Sequence, residues 1–156
     1  MKKHILCLGD SNTHGYCADP NDCADHGIRF NEDERWTCRL QKALGEEYLV
    51  TEEGLSGRTT VFVDPLHESM DALSVAYALL KSHEVIDLLI IMLGTNDNGM
   101  NTEDFISNYT ALVQAIQASY PYTDIIVNTV PPVPSNHSNY PNMDQTRIDD
   151  FNMALL

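Results

Sequence analysis

Apolar runs of strand length alternate along the chain with amphipathic segments of helix length. The predicted strands span residues 4–8, 48–54, 85–94 and 123–130, and the predicted helices span residues 35–45, 70–83, 101–120 and 143–156. An alternation of strands and helices is typical of a parallel sheet that is covered by helices on both faces. The pattern therefore predicts an α/β fold, a three-layer αβα domain with a flavodoxin-like, doubly wound parallel sheet.

Individual segments carry further signs of their structure. The run "VIDLLIIMLG" is almost continuously apolar, as expected for a strand that is buried on both faces. In "RWTCRLQKALG" the residues Trp36, Leu40 and Leu44 recur on one helical face. Thr102 is the predicted N-cap of the third helix. The Pro-rich stretch "PPVPSNHSNYPN" is predicted to be a loop.

Small and polar residues follow the predicted strands directly. Asp10, Ser11 and Asn12 come after the first strand, "GLSGRT" after the second and "GTND" after the third. Because ligands of doubly wound sheets bind beyond the carboxyl ends of the strands, we expect these loops to meet at one rim. An acyl-transfer site needs a nucleophile and hydrogen-bond donors for the developing oxyanion. Ser11 can supply the nucleophile, and its own N–H, the N–H of Gly57 and the amide of Asn96 can supply the donors.

Each of these loops also has an ordinary structural interpretation. An Asp-Ser pair after a strand is often only a helix cap, whose hydroxyl bonds the backbone. The sequences "SGRT" and Asn-Asp are common turns when they occur alone. The hypothesis of a catalytic site therefore depends on the combination of all three loops at successive strand ends.

Composition and charge narrow the class of partner. The chain has 156 residues, 43% of them hydrophobic, which suits one packed domain over residues 1–156. Its formal net charge of −14 disfavours nucleic acid and anionic membranes as partners. The apolar runs are too short for a signal peptide or a membrane span, so we expect a cytoplasmic protein. Four free thiols are expected, with a Cys17–Cys23 disulfide as an alternative.

The three polar blocks resemble those of the GDSL/SGNH hydrolases, a family of lipase- and esterase-like acylhydrolases. "GDSNTHG" is similar to the first block, the glycine of "LSGRT" to the second and "GTND" to the third, while "ERW" and "EEGLSGRTT" resemble the arylesterase and acyltransferase branch. The resemblance implies that Ser11 forms an acyl-enzyme and that Ser11, Gly57 and Asn96 donate to the oxyanion. It gives Asp10 a structural role, in which the carboxylate holds the nucleophile turn. The residues that it places along the pocket are Asn12, His14, Tyr16 and Thr95.

The general base is not evident, because the family's fourth block, Asp-x-x-His, has no counterpart near the end of the chain. One Asp-x-x-His ends at His67, in a segment that the resemblance makes a covering loop, and His137 lies in the Pro-rich loop. Neither histidine sits in the family's frame. The histidines expected at the surface are His4, His26 and His83. We therefore expect the chain to be C-terminally incomplete, without the last strand and helix, and to show little turnover alone. The alternatives are a short variant with a displaced base and a relative that is catalytically silent.

Other functions stay open on the sequence. A catalytically silent or truncated domain of this fold would bind acyl groups without turnover, and a flavodoxin-like module would bind a small ligand at the same rim. No cofactor and no metal ion is expected, because His, Asp and Glu do not cluster at ligand spacing. The expected partner is a small-molecule ester. A homo-oligomer is an open alternative, for which residues 12–34 are the candidate contact segment.

Overall fold

The fold is built on one parallel sheet, and the computed structural model describes residues 1–63, 70–133 and 143–156. The strands are β1 (Lys3–Gly9), β2 (Tyr48–Gly54), β3 (Leu88–Met92) and β4 (Asp124–Val127). Their order in the sheet is β2-β1-β3-β4, and all the pairings are parallel. This order confirms the predicted flavodoxin-like doubly wound sheet. The direction of winding reverses between β1 and β3, which is where ligands of such sheets bind.

Helices form the two outer layers. They are α1 (Ser11–His14), α2 (Trp36–Leu44), α3 (Ala72–Lys81), α4 (Thr102–Ser119) and α5 (Gln145–Leu155), with a 3₁₀ turn at Thr95–Asp97. α2 packs on one face of the sheet, whereas α3, α4 and α5 pack on the other, which confirms the predicted three layers. Among the helices described, none has both the length and the apolar character needed to cross a bilayer.

The larger half of the core lies between the sheet and the helices α3, α4 and α5. Leu6 and Leu8 of β1 face this side, whereas Ile5 faces α2, because successive strand residues point to opposite faces. The rings of Phe105 and Phe151 stack with 3.9 Å between their centroids and join α4 to α5. Each fully buried side chain of this size contributes about 1.5–3 kcal/mol. This layer therefore fixes the carboxyl ends of β1 and β3.

The strand predicted at residues 85–94 is shorter in the structure. The chain turns at Glu84, which has a positive φ of 58°, and pairing with β1 begins only at Leu88. The apolar residue Val85 extends the hydrophobic run in the sequence, but it lies in the turn and is exposed. Hydrophobicity alone therefore placed the start of β3 too early.

Two short elements and one cap differ from the prediction. The single-turn helix α1 and the 3₁₀ turn after β3 are too short to show a helical period in the sequence. The N-cap of α4 is Asn101 and not Thr102, because the Asn101 side chain accepts a hydrogen bond from the N–H of Asp104. Both asparagine and threonine cap helices well, so the sequence left this choice open.

The prediction of a surface position is wrong for His4. Its ring is buried, with Nδ1 2.9 Å from the carbonyl oxygen of Val85 and Nε2 2.8 Å from Oγ1 of Thr51. His83 is half-buried and lies 2.8 Å from a carboxylate oxygen of Glu53, whereas His26 is exposed as expected. A histidine with two hydrogen-bond partners satisfies its polar atoms inside the protein, and no strand pattern reveals those partners.

The cysteines are free, as predicted. No disulfide joins Cys17 to Cys23, although both thiols are buried. Burial, with a smaller contribution from the charge of Glu52, raises the pKa of the Cys7 thiol to about 12. Cys7 therefore behaves as an apolar core residue.

Candidate active site

Ser11 opens a tight turn at the carboxyl end of β1. Asp10 precedes it as the N-cap of α1, and its Oδ1 accepts hydrogen bonds from the N–H of Asn12 at 2.8 Å and from the Asn12 amide at 3.0 Å. The helix ends after one turn at Gly15, which has a left-handed φ of 84°. The turn therefore holds Ser11 directly beyond the strand, half-buried at the rim.

Two glycines let this turn sit directly on the strand ends. A Cβ atom at Gly54, the last residue of β2, would lie 2.1 Å from the backbone nitrogen of His14. A Cβ atom at Gly9 would lie 2.0 Å from Oγ1 of Thr13. Neither position has room for a side chain, so the height of α1 above the sheet depends on both glycines.

The second loop brings a glycine N–H to the same rim. Leu55 N–H donates to the carbonyl oxygen of Gly9 at 3.2 Å, and the N–H of Arg58 closes a turn onto Leu55 at 3.0 Å. Gly57 lies inside this turn with a φ of 85°, which favours glycine. Among the described residues, neither the N–H of Gly57 nor that of Ser11 has a hydrogen-bond acceptor.

The third loop is tied to the other two. The amide of Asn96 donates to the carbonyl oxygen of Arg58 at 2.9 Å, and the carboxylate of Asp97 accepts from the hydroxyl of Thr60 at 2.7 Å. Oγ1 of Thr95 accepts from the amide of Asn12 at 3.2 Å. These bonds fix the relative positions of the three loops that follow β1, β2 and β3.

Arg58 is buried beneath the three loops. One of its guanidinium nitrogens, Nη1, donates to the carbonyl oxygens of Glu53 at 2.6 Å and Gly9 at 3.2 Å. Burial lowers the pKa of the Arg58 guanidinium, and the nearby charges of Glu53 and Asp10 only partly oppose this. Arg58 therefore clamps the end of β1 to the end of β2, and it does so from below the rim.

Two buried carboxyl groups next to the site, those of Asp10 and Asp97, have pKa values above the ordinary value of an aspartate. Burial raises the pKa of Asp10 to about 6, against the opposing hydrogen bonds from Asn12. Burial likewise raises the pKa of Asp97, although the hydrogen bonds from Thr60 lower it. The negative charge of Asp97 contributes to the shift at Asp10. Two buried acids thus lie under the rim.

A cavity of about 520 Å³ opens above the three loops. Six of the eight residues predicted for the site line it, whereas Asp10 is buried below and His14 is not among the lining residues. The lining residues are Ser11, Asn12, Tyr16, Cys17, Ala18, Asp19, Asp22, Phe30, Ser56, Gly57, Thr95, Asn96, Pro131, Pro132, Val133 and Met143. The structure therefore brings the predicted nucleophile and donors to one apolar-walled cavity of ligand size.

One wall of the cavity comes from the segment between α1 and α2. The N–H of Cys17 donates to the carbonyl oxygen of Ile28 at 2.9 Å, and the N–H of Phe30 donates to that of Gly15 at 2.7 Å. Two arginines, Arg29 and Arg35, form ion pairs with Glu52 of β2 at 3.2 and 3.0 Å. These contacts close the segment at its base and fasten it to the sheet.

The sequence model of the GDSL-like lipase/acylhydrolase family matches residues 7–156. The chain belongs to this family. No curated protein sequence matches the chain. The GDSL-like assignment agrees with the resemblance seen in the three polar blocks.

Solved structures share the fold of this GDSL-like chain. The aryl esterase of M. smegmatis is 32% identical, with a TM-score of 0.82, and the match covers 96% of this chain and 75% of that one. A carbohydrate acetylesterase from Sinorhizobium meliloti is 28% identical, with a TM-score of 0.84 and coverage of 96% and 76%. The chain thus spans about three quarters of the length of these structures. The family and these neighbours indicate ester hydrolysis.

The predicted lining of the GDSL-like site needs one correction. His14 does not line the cavity, because its backbone packs against Gly54 at the side of α1 that faces β2. No histidine occurs among the described residues that line the cavity. The two other histidines considered as base, His67 and His137, lie outside the described residues.

Sequence reasoning missed several residues of the site. Arg58 belongs to a turn that the sequence analysis interpreted as ordinary. A single arginine that follows two glutamates at a strand end could have indicated a structural role. Phe30 and Asp22 belong to the segment that was a candidate contact for an oligomer. No local sequence pattern indicates that this segment forms a wall of the cavity that Ser11 lines. Met143 reaches the cavity from just before α5, which only the tertiary fold can bring there.

Proposed function

We propose that the chain is a serine ester hydrolase that acts through an acyl-enzyme on Ser11. The Ser11 Oγ attacks the ester carbonyl, the alcohol leaves with a proton, and water then releases the acid and restores the hydroxyl. The observation that carries this proposal is the meeting of Ser11, Gly57 and Asn96 at one cavity. The family and the similarity to esterase structures support the reaction class.

The oxyanion of the tetrahedral intermediate would be held by three donors. The N–H groups of Ser11 and Gly57 have no acceptor among the described residues, so both are available to a ligand. The Asn96 amide gives one of its two hydrogens to Arg58 O, which orients the group, and the other hydrogen has no acceptor among the described residues. Each well-placed donor of this kind lowers the barrier by about 3–4 kcal/mol.

The remaining predicted residues support the reaction indirectly. Asp10 holds the turn through its two bonds to Asn12, and Asn12 in turn reaches Thr95. Asn12, Tyr16 and Thr95 contribute to the cavity wall and contact the substrate in this proposal. The expected cytoplasmic location remains a prediction.

A general base is still required, because a serine hydroxyl is a weak nucleophile by itself. The candidates outside the described residues are His67 and His137. If one of them serves, its replacement by alanine lowers turnover to the residual rate that the oxyanion donors and binding alone provide, about 10³-fold above that in water. If neither histidine acts as the base, residues 1–156 alone form either a slow catalyst or a domain that binds esters without turnover.

The decisive experiment is active-site labelling. We expect a fluorophosphonate probe to modify Ser11, as located by peptide mass mapping, and Ser11→Ala to remove both the label and the hydrolysis of p-nitrophenyl acetate. Ser107→Ala, at an exposed serine of α4, is the matched control and should keep both. Labelling of Ser56 in place of Ser11, or equal hydrolysis by the parent and Ser11→Ala at a rate above the uncatalysed background, would reject the assignment. Absence of any label would favour a domain that binds esters without turnover.

A further inference from the structure

The cavity carries acidic side chains, and among the residues that the structure describes no basic side chain lines it with them. Asp19 and Asp22 line it, and both come from the segment between α1 and α2. The carboxylate of Asp19 is held in place, because its Oδ1 accepts hydrogen bonds from the N–H of Asn21 at 2.9 Å and from the Asn21 amide at 2.8 Å. Asp22 is exposed at the same wall.

Every lysine and arginine of the chain can be accounted for. The chain has 9 of them, and none falls in residues 64–69 or 134–142, which the structure leaves undescribed. They are Lys2, Lys3, Arg29, Arg35, Arg39, Lys42, Arg58, Lys81 and Arg147. None of these side chains lines the cavity. Among the described lining residues, an anionic ligand in the cavity would therefore meet the carboxylates of Asp19 and Asp22 and no lysine or arginine.

The three arginines near the site each have partners of their own, although the Nε of Arg58 is buried without an acceptor among the described residues. Arg58 lies buried below the rim with Nη1 bound to two main-chain carbonyl oxygens. Arg29 and Arg35 both pair with Glu52 on β2. Moving any of them to a ligand would leave buried or partly buried acceptors without their donors, which costs free energy.

We propose that the cavity selects esters whose remote end is uncharged or cationic and rejects those with an anionic end, and that Asp19 and Asp22 set this preference. The inference rests on the proposed function only in taking this cavity as the substrate site. Apolar walls from Phe30, Val133 and Met143 keep the effective dielectric below that of water, so the two charges act on a bound group more strongly than on a free one. The aromatic rings of Tyr16 and Phe30 add a surface of the kind that accepts quaternary ammonium groups.

A set of three matched methyl ketones tests the preference by binding alone. The cationic probe is (4-oxopentyl)trimethylammonium, its uncharged isostere is 6,6-dimethylheptan-2-one, and the anionic member is 5-oxohexanoate. Ketones cannot be hydrolysed, so the dissociation constants from NMR titration of the ¹⁵N-labelled chain do not depend on turnover. At low salt we expect the order cation, neutral, anion, with roughly a threefold to tenfold step in affinity for each unit of charge.

Variants assign the preference to the two aspartates. In Asp19→Asn/Asp22→Asn the affinities of the three ketones should converge to within about twofold, and high salt should have a similar effect in the parent chain. The matched control is Glu46→Gln/Glu47→Gln, which makes the same change in net charge. These exposed residues precede β2 at the opposite end of the sheet, so the order of affinities should persist.

Three results would overturn the inference. They are equal binding of the anionic and neutral ketones, an unchanged order in Asp19→Asn/Asp22→Asn, and no binding of any of the three up to their solubility limits. The proposed function fails on different evidence, namely a Ser11 that no fluorophosphonate labels. A preserved order of ketone affinities with an unreactive Ser11 would reject hydrolysis while supporting the charge preference.

Discussion

At the scale of single residues, Arg58 has the most consequential position. It is a buried cation whose Nη1 bonds the carbonyl oxygens of Gly9 and Glu53, and its own carbonyl accepts from Asn96. One residue therefore contacts all three loops that carry the proposed nucleophile and oxyanion donors. Burying a guanidinium costs free energy, because the charge loses its hydration. The hydrogen bonds to the two main-chain carbonyl oxygens offset part of this cost.

Replacing Arg58 should loosen this arrangement. In Arg58→Met, which keeps an unbranched apolar stem but has no guanidinium, the carbonyl oxygens of Gly9 and Glu53 lose their shared donor. We expect the free energy of unfolding in urea to fall by roughly 2–4 kcal/mol, with slower labelling of Ser11 by a fluorophosphonate. Arg39→Met, at an exposed position on α2, is the control and should change stability by less than about 0.5 kcal/mol. An unchanged unfolding curve for Arg58→Met would refute the clamp.

Asp10 predicts a pH dependence with a definite sign. Its pKa of about 6 in the folded chain lies above the ordinary 3.8, so the folded state holds the proton more tightly than the unfolded chain. Between about pH 4 and pH 6 this group makes the free energy of unfolding fall as the pH rises, by on the order of 2–3 kcal/mol, and above that window its contribution is constant. Urea unfolding across this range should show a smaller fall in Asp10→Asn. Parallel curves for the parent and the variant would contradict the shifted pKa.

At the scale of elements, the sequence revealed the sheet and the three site loops but not how they lock together. The alternation of apolar runs and helical periods depends on local patterns, so all four strands and the four longer helices could be predicted to within a few residues. Ser11, Gly57 and Asn96 could be grouped because the ends of parallel strands share one rim. The hydrogen bonds of Arg58 and Asp97, and the fold of the segment that carries Phe30, depend on tertiary contacts without a local signature.

The contact of α1 with the sheet gives an element-scale prediction. In Gly54→Ala the added Cβ would lie 2.1 Å from the nitrogen of His14 and 2.6 Å from the carbonyl carbon of Thr13, both backbone atoms. The turn carrying Ser11 must then move away from β2. We expect labelling of Ser11 to slow at least tenfold and stability to drop by about 1–3 kcal/mol. Gly99→Ala, where a Cβ meets nothing within 4 Å, should leave labelling and stability near those of the parent.

At the scale of the whole molecule, the charge is the dominant property. The formal net charge of −14 makes the folded surface repel itself, whereas the ion pairs of Arg29 and Arg35 with Glu52 act locally. The same imbalance is found in the described part of the cavity wall, where Asp19 and Asp22 occur without a lysine or arginine. The proposed repulsion of anions at the site therefore acts in the same direction as the negative electrostatic potential of the whole molecule.

This imbalance predicts how added salt affects stability. Screening weakens the repulsion between acidic side chains more than it weakens the few attractive pairs, since 23 acids face 9 bases. We expect the urea midpoint to rise between 20 mM and 300 mM NaCl, with a gain in the free energy of unfolding of up to about 1 kcal/mol. Urea suits this measurement because guanidinium is itself a screening salt. A midpoint that falls with salt would indicate that attractive pairs dominate.

The wall contributed by the segment between α1 and α2 is one uninterrupted stretch of backbone. It is closed at its base where Phe30 N–H meets the carbonyl oxygen of Gly15, and it supplies Tyr16, Asp19 and Asp22 to the cavity. Gly57 and Asn96 lie on loops elsewhere in the chain. A different segment inserted between Gly15 and Phe30 would change the side chains that face Ser11 and leave Gly57 and Asn96 in place. In this architecture the part of the ligand preference that this wall determines can therefore change separately from the nucleophile and the oxyanion donors.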